Sequence, residues 1–161
     1  MKAAKSQTML PVAGTDMLLP VTELTGEKEG ETITLSAGVH SREYAGVQAL
    51  TELAQELDPR QVRGTIRLLH CCNYGGFLRR SADVVPQDGK NLNREFPGNP
   101  GGTPAQRLAA FLEQEFIERT DYLVDLHSGG FCENLTPHLY FHGTAAPKVR
   151  AVSRQMAELT T

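Results

Sequence analysis

The sequence predicts an α/β protein whose mostly parallel, mixed sheet is flanked by helices. Two observations support this prediction. Short segments with the alternation and β-branched residues of strands recur along the chain, and segments with apolar residues at helical spacing separate them. Strands that alternate with helices form βαβ units with right-handed crossovers, so most strands are expected to run parallel.

The first half of the chain contains two predicted strands with a helix between them. Residues 32–36 (TITLS) alternate and are rich in β-branched side chains, which predicts a strand. Residues 42–57 place apolar side chains at helical spacing, and the pair Asp58 and Pro59 ends that helix. Residues 65–69 (TIRLL) predict the second strand.

The second half begins with a long loop, residues 86–103, that is rich in proline and glycine. Loops of this length are often functional. A helix over residues 104–117 and a strand over residues 122–126 follow, and we expect a fourth strand through residues 139–141 and a helix over residues 147–159. Open sheets of this kind bind ligands at the carboxyl ends of their strands.

The composition is typical of one soluble globular domain spanning residues 1–161, with 40% hydrophobic and 22% charged residues. A net charge of −3 argues against nucleic-acid and membrane partners. No apolar run is long enough to span a membrane, and residues 1–14 lack the apolar region of a secretory signal, so we expect a cytoplasmic protein. Three cysteines without Cys-x-x-Cys spacing indicate neither a disulfide framework nor a thiolate zinc site.

Histidines follow two of the predicted strands. His40 and Glu43 form a His-x-x-Glu pair at the start of the first predicted helix, and imidazole and carboxylate groups are ordinary zinc ligands. The pair alone is weak evidence, because a strand-end histidine and a glutamate at a helix N-terminus also occur for structural reasons. His127 supplies a third ligand from another strand end. Two histidines and one glutamate leave a fourth zinc position open, as in catalytic sites.

The long loop contains a second candidate feature, the pair Asn93 and Arg94. An arginine in a polar loop is often only a solvated charge. Beside a metal, however, a guanidinium group offers a planar fork that can bind a substrate carboxylate. His142, which follows the fourth predicted strand, is a further candidate for a substrate contact.

Three motifs occur in order along the chain: GVHSRE at residues 38–43, DGKNLNREFPG at residues 88–98 and DLHSGG at residues 125–130. Together they resemble the motifs of the succinylglutamate desuccinylase and aspartoacylase family, within the zinc carboxypeptidase-like superfamily. The resemblance extends over most of the chain. The short spacing between Glu43 and His127 is closer to that of the acylases than to that of the classical carboxypeptidases.

The resemblance implies a zinc carboxypeptidase-like fold and a single bound zinc ion. The implied zinc ligands are His40, Glu43 and His127. The implied reaction is hydrolysis of a C–N amide bond, either in an N-acyl amino acid or at the C-terminus of a peptide. The expected partner is therefore a small carboxylate-bearing substrate.

The resemblance also assigns roles outside the zinc ligands. It implies that Asn93 and Arg94 hold the substrate carboxylate. An upstream arginine polarises the scissile carbonyl in such enzymes, and Arg80 or its neighbour Arg79 is the nearest match. The segment around these two arginines is about one residue longer than the family pattern, so the choice between them stays open.

Two residues are candidates for holding the zinc ligands in place. The family's loop motif normally begins with aspartate, and the resemblance suggests that this side chain supports the first zinc histidine, His40. Asn91 occupies the position here and carries no charge, so weaker or altered metal binding is expected. Asp125 lies two residues before His127 on the same strand face, and it either supports that histidine or binds the backbone.

The general base of the reaction is the largest departure from the family pattern. In the family it is a glutamate well downstream of the last zinc ligand, and only Glu133 and Glu158 follow His127 here. We therefore expect a catalytic domain that is incomplete on its C-terminal side. The alternative function is a catalytically impaired module that binds metal and carboxylate. A sheet edge left without its neighbouring strand would also favour a homo-oligomer.

Overall fold

Five strands form one mixed sheet in the computed structural model of this protein, which describes residues 2–141 and 143–160. The candidate substrate contact His142 lies outside the described residues. The strands are β1 (Ala4–Pro11), β2 (Leu18–Thr25), β3 (Lys28–Ala37), β4 (Arg63–Leu69) and β5 (Tyr122–Leu126). Their order across the sheet is β1-β2-β4-β3-β5.

The sheet combines two kinds of strand pairing. Strand β3 pairs in parallel with β4 on one side and with β5 on the other. Strand β2 pairs antiparallel with β4 and with β1. The predicted α/β fold with a mixed sheet is thus confirmed. Its parallel part consists of the three strands that the alternation predicted, and the antiparallel part comes from β1 and β2, which the sequence analysis did not predict.

Each of the three predicted helical segments contains a helix, and a further helix, the second along the chain, was not predicted. The helices are α1 (Tyr44–Glu56), α2 (Tyr74–Arg79), α3 (Pro104–Leu112) and α4 (Pro147–Glu158). Short 3-10 turns cover Pro59–Gln61 and Leu92–Arg94, and a π turn at Glu113–Ile117 continues α3. No helix in the described part of the chain is long and apolar enough to cross a membrane.

Buried apolar residues form two clusters. One cluster joins α1 to the sheet and consists of Leu24, Ala37, Leu50, Ala54 and Leu68. The larger one includes residues of β2, β4 and α3, among them Leu19, Leu69, Leu108 and Leu112. Because β3, β4 and β5 run parallel, their carboxyl ends meet at one edge of the sheet.

The fourth predicted strand, at residues 139–141, is wrong. The structure assigns no strand to this segment, and Leu139, Tyr140 and Phe141 are exposed. Apolar and aromatic residues favour a strand only when a neighbouring strand supplies hydrogen bonds and buries one face. Within the described residues β5 pairs only with β3, so this segment has no such neighbour.

Candidate metal centre

The candidate metal centre lies at the carboxyl ends of two adjacent parallel strands. His40 follows β3 and His127 follows β5, and the two strands are paired as far as Ala37 and Leu126. The two imidazole rings consequently lie edge to face, with their centroids 5.2 Å apart. Glu43 reaches the same point from the N-cap position of α1, where a turn joins its backbone nitrogen to the His40 carbonyl.

The Glu43 carboxylate is the centre of this group. Its Oε1 lies 2.9 Å from His40 Nδ1, and its Oε2 lies 2.8 Å from His127 Nδ1. The backbone nitrogen of Ser128 also donates to Oε2, at 3.1 Å. Glu43 is only 9% exposed, and burial removes most of the water that would bind its carboxylate. These three contacts take the place of the lost hydrogen bonds to water.

The second ring nitrogen of His127 faces another carboxylate. His127 Nε2 lies 2.9 Å from Asp125 Oδ2, and Ser36 donates its hydroxyl to Asp125 Oδ1 at 2.7 Å. The hydrogen bond to Asp125 is the main reason that the pKa of His127 rises to about 9, with the charge of Glu43 adding to the effect against the opposing influence of burial. Without a metal, both nitrogens of the protonated ring can donate to a carboxylate.

The donor atoms of this group fit a zinc ion. One ligand atom each from His40, Glu43 and His127 lies within 4.8 Å of the other two. Imidazole nitrogen and carboxylate oxygen suit zinc, and the outer bond from His127 to a carboxylate is a frequent feature of metal-binding histidines. A metal at His127 Nδ1 would replace the proton that this nitrogen otherwise shares with Glu43.

Among the hydrogen bonds of the described residues, none joins Asn91 to His40. The side-chain oxygen of Asn91 accepts a hydrogen bond from the backbone nitrogen of Asn93 at 2.9 Å and so caps the Leu92–Arg94 turn. The expected support of His40 by Asn91 is therefore absent from the hydrogen bonds of the described residues. A short side chain at the start of a turn bonds readily to the backbone two residues on, and this local contact takes precedence here.

The candidate substrate residues lie on the same turn. Leu92 is fully buried and anchors the turn, whereas Arg94 is exposed and, among the described residues, its guanidinium bonds only to the Asn93 carbonyl, at 3.3 Å. Neither Asn93 nor Arg94 bonds to the histidines or to Glu43 in the described part of the chain. The Arg94 guanidinium thus keeps most of its donors for another molecule.

Arg79 and Arg80 end helix α2, and both are exposed. Arg80 adopts the left-handed conformation, with a φ of 53°, at the position where many helices place glycine. Neither side chain bonds to the metal-ligand group among the described residues, so the geometry leaves the choice between them open.

Two residues of this region escaped sequence analysis. Arg42 lies 2.9 Å from Asp83 and 3.4 Å from Glu133, and so joins the loops that follow α2 and β5. Ser36 holds the carboxylate of Asp125. Their partners are distant in the sequence, and only the pairing of the strands and the course of the loops bring them together.

Comparison with known proteins agrees with the fold and the motifs. A family model described as the succinylglutamate desuccinylase/aspartoacylase catalytic domain matches residues 29–160. The N-alpha-acetyl-L-2,4-diaminobutyric acid deacetylase of Halomonas elongata is 34% identical over 78% of this chain and 36% of its own length. The succinylglutamate desuccinylase of Pseudomonas paraeruginosa is 31% identical over 68% of this chain and 35% of its own length. The chain thus spans little more than a third of these curated relatives.

Solved structures give the same result. The structure of a succinylglutamate desuccinylase from Silicibacter sp. TM1040 superimposes with a TM-score of 0.67 and 34% sequence identity. The match covers 80% of this chain and 40% of the Silicibacter chain. The product-bound structure of an ectoine utilization protein from Ruegeria pomeroyi superimposes with a TM-score of 0.66 and 32% sequence identity. The match covers 79% of this chain and 40% of the Ruegeria chain. The chain therefore belongs to the succinylglutamate desuccinylase/aspartoacylase family.

Proposed function

We propose that this protein hydrolyses the C–N amide bond of an N-acyl amino acid, with zinc as its cofactor. The observation that supports the proposal most is the convergence of His40, Glu43 and His127 at the carboxyl ends of two strands. The relatives are named as a deacetylase and a desuccinylase, which favours an N-acyl amino acid over the C-terminal peptide bond of a peptide.

His40, Glu43 and His127 would hold the zinc ion. Zinc in a site of this kind lowers the pKa of a water ligand and polarises a carbonyl oxygen. Asp125 accepts a hydrogen bond from His127 Nε2, which leaves Nδ1 directed toward Glu43 and the other ligand atoms. The protein thus supplies a site whose ligands are oriented before the metal arrives.

The remaining roles belong to residues around the centre. The exposed guanidinium of Arg94 and the amide of Asn93 would bind the substrate carboxylate, because a planar fork matches two carboxylate oxygens. Arg80 or Arg79 would donate to the carbonyl oxygen as negative charge develops on it during the attack on the amide. Both arginines are exposed, so neither would have to leave a buried position to bind a substrate.

A second candidate function is a module that binds metal and carboxylate without cleaving the amide bond. Hydrolysis needs a general base, and the two glutamates after His127 are engaged elsewhere. Glu133 accepts a hydrogen bond from the backbone nitrogen of Gly130 at 2.8 Å and pairs with Arg42. Glu158 pairs with Arg154 on helix α4.

Metal content tests the site itself. The purified chain is expected to hold about one zinc ion, and His127→Ala to lose it, because two protein ligands bind zinc far more weakly than three. His138→Ala is the matched control, since His138 is exposed and its interactions in the described part of the chain are a hydrogen bond to the Thr136 carbonyl and a ring contact with Tyr140. Absence of zinc from the unmodified chain after loading would contradict both candidate functions.

Turnover then separates the two functions. The zinc-loaded chain is incubated with N-acetyl-L-2,4-diaminobutyric acid or N-succinylglutamate, and release of the free amine is followed. Release that His127→Ala abolishes and His138→Ala leaves unchanged supports the hydrolase. Binding of these compounds, measured by calorimetry, with no release of amine supports the binding module instead.

A further inference from the structure

Ser36 lies directly opposite Asp125 in the pairing of β3 with β5. The Ser36 side chain is buried, with 7% of the residue exposed, and its hydroxyl donates to Asp125 Oδ1 at 2.7 Å. An ionised carboxylate only accepts hydrogen bonds, so the direction of this bond is fixed. Ser36 therefore holds one oxygen of Asp125 from a position inside the sheet.

The other oxygen of Asp125 is used by His127. Asp125 Oδ2 lies 2.9 Å from His127 Nε2, while His127 Nδ1 faces Glu43. With both oxygens engaged, the Asp125 carboxylate cannot rotate without losing a hydrogen bond. The chain of contacts runs from the buried strand β3 through Asp125 to the ring of a candidate metal ligand.

We propose that Ser36 is a positioning residue of the metal centre, which fixes the Asp125 carboxylate so that His127 keeps its proton on Nε2 and presents Nδ1 to the metal. The inference rests on the proposed zinc site, and it adds a residue outside the three sequence motifs. Loss of the hydroxyl frees Asp125 Oδ1, so that the carboxylate rotates and the His127 ring samples orientations in which Nδ1 points away from Glu43.

The test uses the full chain and three variants. Ser36→Ala removes the hydroxyl, and Ser36→Thr restores one at the same position. The matched control is Thr34→Val, which removes a hydroxyl two residues earlier on the same face of β3. Thr34 is fully buried, and its Oγ1 has no hydrogen-bond partner among the described residues, so its loss leaves the contacts of Asp125 intact.

Zinc affinity is the first measurement. Ser36→Ala is expected to weaken zinc binding by about tenfold, the lower end of the effect of removing an outer partner of a metal ligand. Thr34→Val is expected to bind zinc as the unmodified chain does, and Ser36→Thr to recover most of the affinity. Equal affinities for the unmodified chain and Ser36→Ala would overturn the proposal.

The tautomer of His127 is the second measurement, and it does not require metal. Nitrogen-15 spectra of the metal-free chain and its variants are recorded at increasing pH until the ring signals of His127 no longer change, which identifies the neutral form in each protein. The unmodified chain and Thr34→Val should show the proton on Nε2, whereas Ser36→Ala should show a mixture of the two tautomers. A single Nε2 tautomer in Ser36→Ala would contradict the proposal about Ser36, whether or not the chain binds zinc. If neither the unmodified chain nor any variant binds zinc, that result counts only against the proposed function.

Discussion

Glu43 accepts hydrogen bonds from both candidate ligand histidines and from the backbone of Ser128. One carboxylate therefore ties the end of β3 to the end of β5, although 84 residues separate Glu43 from His127. This convergence follows from the sequence, because each histidine comes after a predicted strand and parallel strands end at the same edge. The role of these residues as zinc ligands stays a prediction until metal is measured.

The partners of other residues could not be read from the sequence. Asn91 was expected to support His40, but it caps its own turn through the backbone nitrogen of Asn93. Ser36 and Arg42 gave no signal, because their contacts depend on strand register and on two loops that meet only in the fold. A motif shows which residue types are present. The hydrogen bonds and ion pairs that surround the candidate zinc ligands depend on the exact course of the backbone, which a motif does not show.

Arg94 provides a prediction at the scale of one residue. Arg94→Ala should raise KM for an N-acyl amino acid by about tenfold or more, because a hydrogen bond between charged groups contributes about 1.5–3 kcal/mol. The substrate analogue with a carboxamide in place of the carboxylate should be affected much less. The measurement is the ratio of the two KM values, or of the two Kd values if the chain binds without cleaving.

The control for this prediction is Arg60→Ala. Arg60 is also exposed, but it pairs with Asp58 beside the amino end of β4, at the opposite end of the strand from the metal centre. This variant should leave both constants unchanged. If Arg94→Ala weakens binding of the carboxylate substrate and of its carboxamide analogue by the same factor, Arg94 does not bind the carboxylate.

The strands differ in how well the sequence predicted them. Strands β3, β4 and β5 have alternating or β-branched patterns and were predicted, as were helices α1, α3 and α4. Strand β1 is almost wholly exposed and β2 contains Pro20, so neither has a pattern that separates a strand from a loop. Helix α2 contains Gly75 and Gly76. Glycine has a low helix propensity, so the sequence did not predict this helix.

The long loop at residues 86–103 is held against α3 by Gly98. The φ angle of Gly98 is +88°, and a Cβ atom at this position would overlap the backbone nitrogen of Ala110. The backbone nitrogen of Asn99 also donates to the Gln106 carbonyl at 3.0 Å. The close approach at Gly98 thus fixes the segment that follows the Arg94 turn.

Gly98→Ala should lower the free energy of unfolding by more than about 3 kcal/mol, since α3 or the loop must move to admit the new atom. Gly89→Ala in the same loop is the matched control. Gly89 has a φ of +69°, but no atom lies within 4 Å of the position that a Cβ would take, so only the left-handed conformation should be unfavourable there, by about 1 kcal/mol. Urea unfolding measures both values, and equal losses would show that packing against α3 is unimportant.

His70 makes the stability of the whole molecule sensitive to acid. It lies at the end of β4, where Nε2 contacts the Thr22 hydroxyl at 2.8 Å and Nδ1 is buried without a partner among the described residues. Burial lowers its pKa below the ordinary value of 6.5. The unfolded chain therefore takes up a proton at a higher pH than the folded chain does.

The stability that neutral His70 provides is complete above pH 6.5 and is lost as the pH falls through the lowered folded pKa. The free energy of unfolding of the unmodified chain should therefore fall more between about pH 7 and about pH 5 than that of His70→Gln, which cannot take up the proton. Denaturant unfolding at the two pH values measures the difference. Parallel losses in both proteins would mean that His70 is not the acid-sensitive group.

The chain matches little more than a third of the length of its curated relatives, and its last described segments bury little. Strand β5 hydrogen-bonds to β3 on one side, and within the described residues no strand covers its other side. Large apolar side chains are exposed after it: Phe131, Leu135, Leu139, Tyr140, Phe141, Val149 and Leu159. The single-domain organisation and the cytoplasmic location predicted from composition stay predictions.

An uncovered strand edge beside apolar residues favours pairing with a second copy of the chain. The average mass of the protein, measured by light scattering, should therefore rise from monomer toward dimer as its concentration increases. Leu123→Lys should shift this equilibrium toward monomer, because Leu123 is 38% exposed on β5 and a charge on an edge strand opposes pairing. Leu18→Lys is the control, since Leu18 is similarly exposed on β2, three positions away from β5 in the sheet. A constant monomer mass would contradict self-association, and equal effects of the two lysines would show that it does not use the β5 edge.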